Sequence, residues 1–170
     1  MPRPYPGAMG THPDEQQRDT GPVLPLAASA GYQIRATHRL VQRTLQSRIE
    51  PCGVSLGMWY FLRVLWEGDG LTQSELSQRV GTMEPTTLSA IRDMERNGFV
   101  RRTPHETDRR KINIHLTDEG RALRARLMPH ALAVIDQLLH GLTEREVAML
   151  LSLLAAMQRN LSDGPDSPER

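Results

Sequence analysis

The sequence predicts a mainly α fold in which a short helix pair and a small two-stranded β ribbon are carried on a layer of longer helices. Three observations predict it. Apolar residues recur at helical spacing through most of the chain, two runs (FVRRT and KINIHLT) alternate as strands do, and a glycine turn joins two short helices just ahead of those strands. With 170 residues, 38% hydrophobic and 24% charged, the chain has the make-up of one globular domain with a real core.

Residues 1–20 are rich in Pro and Gly and aperiodic, which predicts a disordered tail, and residues 162–170 predict another. The ordered domain is expected over 21–161. From about Leu26 to Ile49, Ile34, Val41, Leu45 and Ile49 form one helical stripe, ended by Pro51 and Gly53. SLGMWYFLRVLWEGDG predicts a second helix capped by Ser55. It is apolar nearly all round and so expected to be buried on more than one face.

LTQSELSQRV, 71–80, opens with Thr72 and Glu75 at capping-box spacing, flanked by Leu71 and Leu76 as a staple. Gly81 turns the chain, and the next helix starts near Glu84, where Pro85 is tolerated because its missing N–H has no intrahelical partner. Leu88, Ile91 and Met94 form its expected inner face, and Gly98 suits the left-handed position after its end. In KINIHLT the alternation puts Ile112, Ile114 and Leu116 inward. Thr117 caps a helix running towards His140, which Pro129 is expected to kink or divide. A second capping box, Thr143 with Glu146, starts a last helix ending near Leu161, stapled by Leu142 and Val147 and rich in leucine.

No apolar run approaches the roughly 20 residues that cross a bilayer. The N-terminus lacks the apolar core of a signal peptide, and the one cysteine, Cys52, has no internal partner; together these predict a cytoplasmic protein with no membrane association. Phosphate-cradling glycine loops, G-x-S-x-G elbows and H-E-x-x-H helices are missing, so an enzyme is not expected, nor a cofactor. His105 and His115 fall on the ribbon, and His130 and His140 lack ligand spacing, so no metal site is expected either.

The net charge of +1 conceals a local surplus: Arg101, Arg102, Arg109, Arg110 and Lys111 face only Glu106 and Asp108 within residues 101–111. A capped helix, a glycine turn, a second helix with small outward residues and a basic ribbon describe a winged helix-turn-helix. Its second helix must offer short side chains to a major groove, and Thr86, Thr87, Ser89 and Arg92 are the expected outward residues. Hydroxyls there can meet phosphates or base edges, and an arginine can meet guanine or phosphate. The ribbon is then a wing, whose Arg109 or Arg110 lies beside the duplex where a narrow minor groove attracts a guanidinium. The stripe of the first helix and the leucines of the last exceed what so small a central lobe can cover, which predicts a homodimer with a shared helical layer.

LTQSELSQRVGTMEPTTLSAIRDMERNGFVRR followed by DRRKINIHLTDEGRAL resembles the MarR (multiple antibiotic resistance regulator) family of bacterial transcription factors, including its D-x-R…LT wing signature, over roughly residues 30–161. The resemblance implies a DNA-binding lobe over about 55–117 and intertwined dimerisation helices over about 26–50 and 118–161. It implies that Arg110 enters the minor groove, with Asp108 orienting it or a neighbouring residue of the recognition helix; Lys111, from the same cation run, is a further expected DNA contact. It also implies a repressor on a pseudo-palindromic operator, released by a small aromatic acid bound between the dimer layer and the DNA-binding lobe. MWYFLRVLWE further resembles regulators of aromatic-compound catabolism. The candidate ligand residues at that junction are His38, Met58, Trp59, Tyr60 and Arg63, rings for stacking and a guanidinium for a carboxylate. Other readings are redox response through Cys52, metal response, or a helical interaction module that does not bind DNA.

Overall fold

The computed structural model describes residues 25–108 and 110–162. Both expected tails, apart from Ser162, and Arg109 lie outside the described residues. The described chain divides into two compact units between Ala36 and Thr37.

In the first unit, Leu26–Ala28 form a single 3-10 turn rather than the start of the long helix. Ser29 ends that turn, and its Oγ accepts the Tyr32 N–H at 3.3 Å, so α1 (Ala30–Ile49) begins after it.

In the second unit, the later part of α1 buries Leu45 and Ile49, and a 3-10 turn over Glu50–Cys52 stops at Gly53 with φ 77°. Helix α2 (Leu56–Glu67) is capped by Ser55, whose Oγ accepts from the Met58 N–H, and it buries Met58, Trp59, Phe61, Leu62 and Leu65. This is the many-sided burial its composition predicts.

Leu71–Thr72 form a short strand, β1, before α3 (Gln73–Val80). The capping box is made in full: Thr72 N–H donates to Glu75 Oε2 at 2.8 Å, and Glu75 N–H donates to Thr72 Oγ1 at 3.3 Å. The hydroxyl and amide of Thr72 hold the Glu75 carboxyl below the usual carboxylate range. Gly81 turns the chain with φ 72° into α4 (Glu84–Arg96), and Gly98 follows with φ 73°.

Strands β2 (Val100–Pro104) and β3 (Ile112–Leu116) form the hairpin, and β1 adds on the other side of β3, giving an antiparallel sheet of order β1-β3-β2. The sheet therefore has three strands where two were expected. Leu71 and Thr72 pair with Ile114 and Asn113. Two residues carry no readable alternation, and these two also serve as the staple and cap of α3. Ile114 and Leu116 are buried as expected, but Ile112 is exposed because it pairs with Pro104 at the tip of the hairpin.

Helix α5 (Asp118–Leu139) runs through Pro129 as one helix, so of the expected kink or division the division does not occur. Leu127 on one side of the proline and Val134 on the other are both buried, so packing holds the two halves in one helix. Helix α6 (Glu144–Ser162) starts with the expected capping box, Thr143 N–H to Glu146 Oε2 at 2.8 Å, and buries none of its residues in this chain. Of its expected staple, Val147 is half-buried and Leu142 exposed. Among the described residues no helix is long and apolar enough to cross a membrane.

Candidate nucleic-acid interface

The interface begins with the spacing of α4. Thr87, Ile91 and Met94 lie at i, i+4 and i+7 and are all buried, which fixes the helix on α2 and α3 and turns Thr86, Ser89 and Arg92 to solvent. Thr87 corrects the sequence expectation: it points inward, and Leu88, expected there, is only half-buried. The Thr87 hydroxyl shares a 2.9 Å hydrogen bond with Thr82 Oγ1 and donates to the Met83 carbonyl at 3.3 Å. A buried hydroxyl satisfied in this way joins the turn to the helix and is not available to a base edge.

The hairpin is registered against α4 by an ion pair across the lobe. Arg102 reaches Glu95 at 2.7 Å from the strand facing that helix. At the tip, His105 N–H donates to the Lys111 carbonyl at 3.1 Å and Lys111 N–H to the Asp108 carbonyl at 2.9 Å. Asp108 then takes the Arg110 backbone N–H at 3.1 Å and its Nε at 3.1 Å on the same oxygen, with a terminal nitrogen at 3.4 Å from the other. Arg110 is nevertheless 91% exposed. The carboxylate thus orients the wing arginine, and not a residue of α4, leaving most of the guanidinium open to an external anion.

The Arg110 side chain and backbone bonds, with help from Lys111 and His105, hold the Asp108 carboxyl below the usual carboxylate range. A lowered folded value means that the link is present above the ordinary range and is lost as pH falls through the lowered one. At neutral pH the arginine is held. Lys111 and Arg110 also line one groove with Glu84 and the first turn of α3, namely Thr72, Gln73, Ser74 and Glu75.

The other candidate set is dispersed. Met58 and Trp59 are core side chains of this chain, not free walls, because the all-round apolar α2 spends them on packing. Trp59 meets Trp66 edge-on at 5.8 Å between ring centroids, and the Arg63 guanidinium sits 5.8 Å from the Trp59 ring. Arg63 also approaches Glu67 at 4.0 Å, while His38 and Tyr60 reach the surface. Of the five, the structure brings Trp59 and Arg63 together. Cys52 is half-buried. Among the described residues no group of His, Cys, Asp and Glu is placed to hold a metal ion.

Sequence reasoning counted Arg102 among the surplus cations without its partner Glu95, a pairing that needs the strand register, and read Glu84 only as a helix start, since its exposure needs the turn geometry.

Comparison with known proteins gives a consistent picture. The profile of the MarR family matches residues 54–112, which spans α2 to the end of the wing loop. The HTH-type transcriptional repressor YetL of Bacillus subtilis is 30% identical over 112 residues, 65% of this chain and 67% of that protein. The HTH-type transcriptional regulator TtmR of Methylorubrum extorquens is 29% identical over 140 residues, 81% of this chain and 70% of that protein. Among solved structures, the transcriptional repressor CouR bound to a 23-mer DNA duplex superposes with TM-score 0.73 at 26% identity, covering 78% of this chain and 94% of that one.

Proposed function

Since this chain belongs to the MarR family and is therefore a DNA-binding transcriptional regulator and not an enzyme, we propose that it is a homodimeric repressor of a pseudo-palindromic operator, released by a small aromatic acid. The observation that carries the reading is Arg110, held by Asp108 at a wing tip yet open to solvent, beside a helix whose exposed face offers Thr86, Ser89 and Arg92. Arg110 enters the minor groove with Lys111 beside it, and α4 enters the major groove.

Dimerisation is supported by unpartnered apolar faces: Leu132, Ile135 and Leu138 on α5 and Met149, Leu150, Leu153 and Met157 on α6 are exposed in the single chain. Covering them with a second copy removes that surface from water and sets two recognition helices about one DNA turn apart, roughly 34 Å. The relative solved on DNA supports the docking mode.

The effector reading rests on the Arg63 guanidinium, which lies over the Trp59 ring, and on Tyr60 and His38, which reach the surface. A planar carboxylate pairs with the guanidinium and stacks on a ring, and it weakens DNA binding by favouring a different spacing of the lobes. Met58 and Trp59 are core side chains in the single chain, so the exposed Tyr60 supplies the ring. A reducing cytoplasm is the compartment that suits such a regulator.

One titration tests this reading. Fluorescence anisotropy of a labelled palindromic duplex is expected to give affinity that falls steeply with salt, with a log–log slope of about −0.9 for each phosphate neutralised. Hydroxylated benzoates, cinnamates or pyridine carboxylates are expected to release the duplex. Salt-independent binding refutes the interface, and indifference to every acid refutes the effector.

A further inference from the structure

We infer that Glu84 is a base-reading residue of the recognition helix and makes the protein select cytosine at one position in each half-site. The inference rests on the DNA-binding reading above and deepens it.

Glu84 is the first residue of α4, exposed and in the same groove as Arg110 and Lys111. Among the described residues it has no hydrogen-bond or ion-pair partner, although two cations line that groove with it. The other carboxylate there, Glu75, is used in the capping box of α3. A free carboxylate on a surface that faces phosphates weakens every duplex alike through repulsion, unless it meets a hydrogen-bond donor on a base.

Helix stability accounts for this first turn only in part: Pro85 and the Glu84 charge suit a helix start, but the cap position does not. Ser55, Thr72 and Thr117 cap α2, α3 and α5 through side-chain oxygens, whereas the cap position of α4 holds Met83, which makes no capping bond and is 76% exposed. A turn built only to start a helix has Ser, Thr, Asp or Asn there. One with an exposed thioether chain followed by a free carboxylate is suited to what it faces. Residues at the start of a recognition helix are the ones that meet base edges.

The choice of base follows from acceptor chemistry. An ionised carboxylate only accepts hydrogen bonds. In the major groove guanine offers N7 and O6 and thymine offers O4, all acceptors that repel it. Adenine offers its N6 amino group beside the N7 acceptor, which again opposes the carboxylate. Cytosine offers its N4 amino group with no acceptor on its own major-groove edge, and is the base left.

The test is binding-site selection from a randomised duplex library with the full-length protein, Glu84→Gln and Glu84→Ala. The wild type is expected to enrich a two-fold motif with cytosine at one symmetric pair of positions. Glutamine reads adenine through N6 and N7, so Glu84→Gln is expected to move that position from C to A with the rest of the motif intact. Glu84→Ala is expected to lose the preference there, roughly tenfold, while binding to random DNA holds or improves because a negative charge has gone. A role confined to the helix dipole moves affinity for all sequences together and leaves the motif unchanged, and that result overturns the inference. Absence of any enriched motif with the wild type overturns the DNA-binding reading itself.

Discussion

Replacing Arg110 with alanine is expected to lower operator affinity by about a hundredfold or more while leaving the thermal unfolding curve in place. The side chain is 91% exposed and, among the described residues, bonds to Asp108 at the wing tip, away from the core. Removing one arginine that reads a groove costs about 1–3 kcal/mol of binding, and a two-fold dimer loses the contact twice on each operator. The variant also loses counterion release, so its salt dependence becomes shallower. Lysine at the same position keeps the charge but not the planar fork that Asp108 holds, and restores only part of the loss. Paired anisotropy and melting measurements check it. Wild-type affinity in Arg110→Ala removes the wing from the interface.

Gly120→Ala is expected to be the most damaging glycine-to-alanine change among the described residues. A Cβ there lies 2.0 Å from the Phe99 carbonyl oxygen, 3.0 Å from the carbon of that carbonyl and 3.2 Å from Leu116 Cδ2. The first obstacle is backbone and cannot rotate away. That oxygen already accepts the Thr117 N–H at 3.0 Å, so the start of α5 is held against the turn between α4 and β2. Thr117 Oγ1 reinforces the contact by donating to the Gly98 carbonyl at 2.6 Å and accepting the Gly120 N–H at 3.0 Å. On the far side, Trp66 Nε1–H donates to the Gly120 carbonyl at 2.9 Å. Adding the methyl forces this junction apart, at a cost of about 3 kcal/mol or more, which lowers Tm by roughly 6–12 °C in a domain of this size. A change in Tm below about 2 °C contradicts the packing described. Because the junction joins the helix leading out of the wing to the recognition helix, the same variant is also expected to weaken DNA binding.

Much of the lobe was legible because its signals are local. A capping box is four residues long, and Thr72–Glu75 and Thr143–Glu146 both form as their spacing predicts. The glycines at 53, 81 and 98 all adopt the left-handed conformation that ends an element. Features set by neighbours distant in sequence were not legible. Thr86 and Thr87 are chemically alike; Thr87 goes in because it shares the face of Ile91 and Met94 and the Thr82 hydroxyl satisfies it there, a partner the helical spacing alone does not reveal. Pro129 reads as a break until Leu127 and Val134 are seen to pack on either side of it. Strand β1 is two residues long and exists only because β3 offers an edge. Among the ligand candidates, Met58 and Trp59 are suggested by the rings and cation that α2 carries, whereas the core of this chain takes both, as the all-round apolar composition of α2 predicts. The pairing of Asp108 with Arg110 lies between: the spacing suggests it, but the choice between Arg110 and a residue of α4 as its partner needed coordinates.

The proposed dimer, with two lobes at a fixed separation, is best tested by changing the separation they must match. An operator recovered by selection is lengthened at its centre by about 5 bp, half a helical turn, or by about 10 bp, a full turn. The insertion of half a turn is expected to reduce affinity to that of unrelated DNA, since it places the second half-site on the opposite face of the duplex. Equal affinity for the original and half-turn operators contradicts paired recognition helices on a shared dimer platform.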